Sequence, residues 1–267
     1  MSEIGHRRGT HGVGRLAVAV LSVCVVLLTG VSTAYAGLGI AVSPGLPRSA
    51  LVGQTNLPAT MTVTNASTAP QASGNVVLGA ITLVPSCGSL SFADCPAANV
   101  DPGVFQVSPT GVGEAGTACA GVTFSFTAID SAQGKLRLDP STPIVLGPTG
   151  GATGVCRIDF TIGVARLPAK DSDPAAGVQT AALAAASGTT SDGSAGTGFG
   201  SAETQVGRGT PGITTQVAAS ALTLGNSTTD RATLTTSPGS PAPTGTITFR
   251  VYGPSDPGCA GTPVATF

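Results

Sequence analysis

The sequence contains no tryptophan, and its only two histidines, His6 and His11, lie close to the N-terminus. Both fall in a segment with the features of an export signal, so no imidazole remains after residue 36. A chain without histidine cannot form Ser-His or Cys-His nucleophilic sites, and it lacks the commonest zinc ligand. The absence of tryptophan removes the stacking surface that helps a glycosidase hold a sugar ring.

Charge is also scarce, since only 9% of the residues are Asp, Glu, Lys or Arg. Subtracting the three arginines and the one glutamate of residues 1–36 from totals of 12 and 13 leaves nine basic and 12 acidic residues, a net charge of −3. This balance excludes a nucleic-acid partner and provides no basic patch for a membrane surface.

The N-terminus has the three parts of a secretory signal. Three arginines precede an apolar run over residues 16–28, and the small residues Ala34 and Ala36 follow it. This order predicts cleavage between Ala36 and Gly37. The mature chain is therefore expected to be secreted or associated with the cell wall, with no membrane span after removal of the signal.

Three alternatives to this signal stay open. Residues 16–36 are long enough for an uncleaved membrane anchor. Cys24 lies in a segment that resembles a lipoprotein box, although Val23 occupies a position where such boxes have a small residue. Arg7 and Arg8 are similar to a twin-arginine signal, but the following residues are not bulky and apolar.

Five cysteines remain after the signal, in a compartment where oxidation is expected. Four of them fall in one domain and allow three pairings. We expect Cys87 to pair with Cys95 across a short loop and Cys119 to pair with Cys156 between two strands. Zinc binding is disfavoured because the spacings contain no C-x-x-C knuckle.

The chain after residue 37 is rich in Gly, Pro and short β-branched runs, which is typical of many strands joined by tight turns. Alternation of apolar and polar residues over 122–128 and 156–164 predicts antiparallel strands with one wet face. Ile158, Phe160 and Ile162 share the apolar face of the second run. We predict an all-β protein with an immunoglobulin-like β-sandwich, whose first eight strands are expected at residues 38–42, 59–65, 76–84, 104–107, 122–129, 135–138, 142–146 and 156–164.

The composition changes after Arg166. Residues 178–186 are expected to be a last strand or a short helix, and the Gly-, Ser- and Thr-rich residues 188–200 a flexible loop or final hairpin. The predicted organisation is a signal peptide over 1–36, a β-sandwich domain over 37–204, a linker over 205–212 and a second module over 213–267.

The second module is expected to have strands at 221–224, 231–235 and 246–252, and to be incomplete, because 55 residues are about half of an immunoglobulin-like domain. Cys259 has no unclaimed partner in the sequence. These features suggest that the sequence is a fragment of a longer protein or a truncated gene.

The segment PTGTITFRVYGP at residues 243–254, together with CAGTP at 259–263, resembles the Ig-like repeats of large secreted actinobacterial proteins. The motif VTNAS at 63–67 is similar to the start of bacterial cell-surface domains with this fold. This resemblance implies tandem sandwiches that serve as spacer or adhesion modules, with no active site.

Catalytic and metal sites have only weak candidates. Paired carboxylates for glycoside hydrolysis could come from Asp139, Asp159, Asp171 or Asp173, although these are expected to be solvated turn and edge residues. Asp171 and Asp173 could ligate calcium. A Ser-Lys dyad would need Lys135 or Lys170, the only two lysines.

From these residues we expect no enzyme, no cofactor and no metal, and a structural or adhesion protein that contacts cell-wall, protein or glycan surfaces. The alternative is an accessory, carbohydrate-binding region of a longer secreted hydrolase. The sequence gives neither the ligand nor the oligomeric state.

Overall fold

A computed structural model describes residues 38–69, 71–91, 94–223, 225–236 and 242–267. The predicted signal, with Cys24, Ala36 and Gly37, lies outside these residues. No helix within the described part of the chain is long and apolar enough to cross a membrane.

The described residues form an almost entirely β structure. The strands are β1 (Ile40–Gly45), β2 (Ser49–Leu51), β3 (Leu57–Asn65), β4 (Val76–Cys87), β5 (Phe105–Val107), β6 (Thr110–Gly113), β7 (Thr123–Asp130), β8 (Lys135–Pro140), β9 (Val145–Leu146), β10 (Val155–Val164), β11 (Gln179–Thr190), β12 (Ala195–Gly207), β13 (Gly212–Val217), β14 (Asp230–Thr235), β15 (Arg250–Val251) and β16 (Ala265–Thr266). The helical segments among them are single 3-10 turns at Gln71–Ser73, Ala97–Asn99 and Ala152–Gly154.

The first twelve strands belong to one sheet that curls into a sandwich. Its order is β1-β3-β10-β6-β7-β8-β4-β11-β12-β2, while β5 pairs with β10 and β9 pairs with β4. Every pair is antiparallel except β2 with β12, which run parallel. The all-β sandwich predicted from the sequence is confirmed.

The core follows the alternation in the sequence. In β10, Ile158, Phe160 and Ile162 are buried, whereas Arg157 and Asp159 are exposed. Since there is no tryptophan, aliphatic side chains fill most of the interior. The largest fully buried side chains are those of Phe124, Met61, Ile81, Leu83, Leu138, Ile144, Leu146, Ile158 and Leu183.

The β11–β12 hairpin decides between the alternatives that the sequence left open for residues 178–200, and it confirms the last strand and the final hairpin. These residues contain neither a helix nor a flexible loop, because β11 and β12 pair along eleven positions. Three glycines of β12 lie against carbonyl oxygens of the first strand and its approach: Gly196 against Leu38, Gly198 against Ile40 and Gly200 against Val42. Glycine is therefore required here for close backbone approach and does not provide flexibility.

The predicted linker and some predicted strands also need correction. Because β12 continues to Gly207, residues 205–207 are strand and not linker. Sequence inspection missed the short strands β2, β6 and β13. Ala221–Thr223 are not strand, and of residues 246–252 only Arg250 and Val251 are.

Residues 212–267 form two separate two-stranded ladders, β13 with β14 and β15 with β16. Of the described residues in this range, none is buried. The described residues of the second module therefore form no buried core of the kind found in the larger sheet.

Candidate functional site

Two disulfides join the cysteines in the pairing that the sequence favours. Cys87 bonds to Cys95 with a Cα–Cα distance of 5.8 Å, and Cys119 bonds to Cys156 with 5.1 Å between the Cα atoms. All four residues are buried. Cys119 lies in a turn between β6 and β7, in which Gly121 adopts a φ of 73°, a conformation that glycine accepts readily.

Asp139 and Asp159 lie on β8 and β10 and each faces an arginine. Nε of Arg137 is 2.6 Å from Asp139, and Nε of Arg157 is 3.5 Å from Asp159. The hydrogen bond from Arg137, followed by that from Thr127, lowers the pKa of Asp139. A general acid in glycoside hydrolysis needs a raised pKa, so Asp139 has the opposite adjustment.

Asp171 and Asp173 make turn contacts. The Oδ1 atom of Asp171 accepts hydrogen bonds from the backbone N–H of Asp173 at 3.1 Å and of Gln179 at 3.2 Å. Oδ1 of Asp173 accepts one from the N–H of Ala175 at 3.1 Å. Within the described ranges, no three His, Cys, Asp or Glu residues are grouped so that they could hold a metal ion. These carboxylates organise the loop before β11.

Both lysines contact polar acceptors at the protein surface. Lys135 forms an ion pair with Asp94, and Nζ of Lys170 donates to the carbonyl of Ala98 at 2.8 Å. A lysine that acts as a general base must be desolvated and neutral. Neither environment meets that requirement.

Asp101 is a buried carboxylate that sequence inspection did not single out. It is 3% exposed, forms an ion pair with Arg166, and accepts hydrogen bonds from the N–H groups of Ala169 at 2.8 Å and Lys170 at 3.0 Å. In the sequence, its position before Pro102 and Gly103 predicts only a turn. The contacts show that Asp101 fixes the segment after β10 to the loop before β5.

The outer face of β9, β4, β11 and β12 exposes apolar side chains. Val77 and Val145 are directly opposite each other on β4 and β9 and are 44% and 47% exposed. Phe199 on β12 is 44% exposed and lies opposite Ala185 on β11. This face is a candidate contact surface, since exposed apolar side chains contribute to many interaction sites.

A second candidate surface is a cleft of about 690 Å³ within residues 212–267, which we call the open cleft. Apolar side chains and the free Cys259 line it, together with one arginine and two aspartates. A neighbouring hollow of about 320 Å³ contains Ile213, Leu234 and Ile247. Clefts of this size are large enough to accept side chains of a partner.

No protein-family model matches the sequence, and a search of curated proteins gives no match. Among solved structures, the chain is similar to BcpA, the major pilin subunit of Bacillus cereus, with a TM-score of 0.35 and 9% identity over 66% of this chain. The chain spans 42% of the length of that pilin.

It is also similar to AvmM, which catalyses macrocyclization in alchivemycin A biosynthesis, with a TM-score of 0.28 and 11% identity. That match covers 66% of this chain and 91% of AvmM. Similarity at these levels identifies neither a family nor a function.

Proposed function

We propose that the chain is a non-enzymatic structural or adhesion protein, exported to the cell surface or the medium and built of immunoglobulin-like modules. The observation that carries this proposal is the parallel pairing of β2 with β12, the second and the last strand of the sandwich. The N–H of Gln205 donates to the carbonyl of Arg48 at 3.0 Å, and the N–H of Val52 donates to that of Gly207 at 2.9 Å.

β2 and β12 run in the same direction, so the chain enters β2 at one end of their ladder and leaves β12 at the other. A force applied at Arg48 and Arg208, which flank these strands, acts along both of them. The interstrand hydrogen bonds then resist together in shear and are not opened one at a time. A module that transmits load between its ends suits a spacer or an adhesin.

The disulfides support an exported location. Structural disulfides persist in oxidising compartments and are rare in the cytosol. Cys119 and Cys156 are separated by 37 residues, and their bond joins a loop to β10, a strand that is paired on both sides in the curled sheet.

The outer apolar face around Val77, Val145 and Phe199 supports a contact role. It lies on the sandwich itself and contains small and hydroxylated neighbours such as Thr82, Ala185 and Thr189. A glycan or protein surface of low charge would match it.

Expression of the whole sequence in a bacterial host, with N-terminal sequencing of the product in the medium and in the wall fraction, tests the proposal. We expect a product that begins at Gly37, has both disulfides and releases no sugar from polysaccharides. Retention in the cytoplasm with reduced cysteines would exclude it. Selective binding to one glycan on an array would favour the accessory carbohydrate-binding role instead.

A further inference from the structure

A small cavity lies between the C-terminal end of β4, strand β5 and the turn that joins β7 to β8. It has a volume of about 180 Å³, and we call it the turn pocket. Two of its lining residues, Ser86 and Phe105, are buried, at 2% and 5% exposure. Two others, Pro102 and Gly103, are exposed. The turn pocket therefore has a buried bottom and an accessible rim.

Gln133 brings a buried acceptor to the turn pocket. Its Nε2 atom donates to the carbonyl oxygen of Cys95 at 3.3 Å, and this bond determines which way the side-chain amide faces. Its Oε1 atom is buried and has no hydrogen-bond partner among the described residues. A buried acceptor needs a donor, and water can supply one while the pocket is free. A ligand with its own donor can replace that water and keep the hydrogen bond.

Ser86 places a hydroxyl group at the bottom of the same pocket. Its Oγ atom lies 2.5 Å from Oγ1 of Thr180, which is also buried. A serine hydroxyl has one donor and two acceptor lone pairs, so one hydrogen bond leaves capacity for a second. Ser86 therefore offers a ligand a second polar contact.

Hydrogen bonds hold two walls of the turn pocket in place. Oδ1 of Asp130 accepts from the backbone N–H of Gln133 at 3.1 Å and fixes the β7–β8 turn. Arg166 donates to the carbonyl oxygen of Pro102 at 2.8 Å and forms an ion pair with Asp101, and these bonds fix the loop before β5. A site whose walls are already ordered loses less conformational entropy when a ligand binds.

The size and chemistry of the turn pocket limit what it can hold. A cavity of about 150 Å³ is large enough for benzene, whereas drug-sized ligands occupy about 300–1,000 Å³. None of the described residues that line the pocket is charged, so an ion would lose its hydration without gaining a partner. Among the same described residues, only Gln133 and Ser86 have polar side chains, which is too few for the hydroxyl groups of a sugar ring. One neutral ring with a single donor matches these limits.

Phe105 provides an aromatic surface in the pocket, against which a second ring can pack. We propose that the turn pocket binds a phenolic ring, whose hydroxyl group donates to Oε1 of Gln133 while the ring packs against Phe105. The ring can belong to a free small phenol or to a tyrosine side chain of a partner, since both present the same group. The pocket exists whether or not the chain serves as a spacer or an adhesin, so its ligand is independent of the role proposed above.

Titration of the whole chain with p-cresol and with toluene tests the proposal, because the two ligands differ only in the hydroxyl group. Methyl NMR signals of Val107 and Leu136, which line the pocket, report binding, and Val77 near the other end of β4 is the control. We expect p-cresol to bind with a Kd of about 1 mM. Toluene should bind about tenfold more weakly, because it leaves Oε1 of Gln133 without a donor.

Gln133→Leu removes the acceptor, and Gln106→Leu is its matched control, since Gln106 is exposed on β5 and is not part of the pocket lining. In Gln133→Leu, p-cresol should lose about tenfold in affinity and bind about as well as toluene. Gln106→Leu should retain the preference for p-cresol. The ratio of the two Kd values within one variant is unaffected by a change in stability that both ligands share.

An absence of shifts at Val107 and Leu136 in about 10 mM p-cresol would overturn the proposal, as would equal affinities of p-cresol and toluene in the wild type. Shifts of equal size at Val77, or a preference for p-cresol that persists in Gln133→Leu, would also contradict it.

N-acetyltyrosinamide distinguishes the two sources of the ring. Binding as tight as that of p-cresol, with the same loss in Gln133→Leu, would support a tyrosine side chain of a partner. Binding of p-cresol alone would support a free small phenol.

Discussion

The carbonyl oxygen of Ile40 lies so close to Gly198 that a Cβ at position 198 would be 2.1 Å from it. The same relationship occurs two residues along at Gly200, where the distance to the oxygen of Val42 would be 1.9 Å. The free edge of β1 therefore rests on the glycines of β12. This contact joins strands from the two ends of the sheet order and closes the sandwich.

Gly198→Ala is expected to destabilise the sandwich by about 3 kcal/mol, since the new methyl group must displace a backbone carbonyl. Gly207→Ala in the same strand is the matched control, because its Cβ would meet only Leu51 at 3.6 Å. Urea unfolding monitored by circular dichroism compares the two. Equal stability of both variants would mean that β1 and β12 are not in close contact.

Removal of the two disulfides should have unequal effects. Cys119 and Cys156 are 37 residues apart, whereas Cys87 and Cys95 are eight apart. Loop-closure entropy predicts losses of about 4 and about 2.5 kcal/mol for the Cys119→Ser/Cys156→Ser and Cys87→Ser/Cys95→Ser variants. Chemical denaturation measures both, and the opposite order would contradict the entropic account.

Asn65 should be essential to stability, because its side chain joins three segments. It is fully buried, donates to the carbonyls of Gly74 at 3.1 Å and Gly147 at 2.8 Å, and accepts from the N–H of Ser67 at 3.1 Å. Asn65→Ala leaves these groups without partners and is expected to cost about 2–4 kcal/mol.

Asn226 provides the control for Asn65. It is exposed, and like Asn65 it lies two residues before a serine or threonine. Asn226→Ala should change the free energy of unfolding by less than about 0.5 kcal/mol. Thermal unfolding distinguishes the two positions, and similar losses would show that Asn65 is not a structural centre.

The pKa of Asp139 should rise when Arg137 is removed. In the wild type, the hydrogen bond from Arg137 lowers the pKa of Asp139. Any stability that the pair contributes is therefore present above the pKa that Asp139 has in the unfolded chain. It is lost as the pH falls through the lower pKa that Asp139 has in the folded protein. Arg137→Gln should move the pKa towards its ordinary value in a carboxyl-carbon NMR titration, while Arg157→Gln should leave it unchanged. An unchanged pKa of Asp139 in the Arg137→Gln variant would show that Arg137 does not lower this pKa.

The sequence allowed the fold class to be predicted because the alternation in β10 is strong and its charged residues, Arg157 and Asp159, are exposed. For residues 188–200 the sequence left both a flexible loop and a final hairpin open, because a glycine-rich strand has the composition of a flexible linker. Only the position of β1 shows that Gly196, Gly198 and Gly200 are needed for close packing. Long-range contacts of this kind leave no periodic signal.

The residues of the candidate sites also differ in whether the sequence alone could identify them. Cys87, Cys95, Cys119 and Cys156 could be identified because cysteine itself is informative in an exported chain. Asp101 could not, since an aspartate before Pro and Gly is ordinary turn chemistry and its burial depends on Arg166, 65 residues away. The open cleft also needed the structure, because its lining comes from residues as far apart in the sequence as Val217 and Phe267.

Single-molecule pulling tests the load-bearing account most directly. Handles attached at Arg48 and Arg208 load β2 and β12 in shear, whereas handles at Val178 and Arg208 peel the antiparallel β11–β12 hairpin from its open end. We predict a clearly higher unfolding force for the first geometry, and a gain in extension of about 160 Å when the two disulfides, which span 37 and eight residues, are reduced. An equal or lower force for the Arg48–Arg208 geometry would contradict the proposal that the paired strands β2 and β12 transmit load through the sandwich.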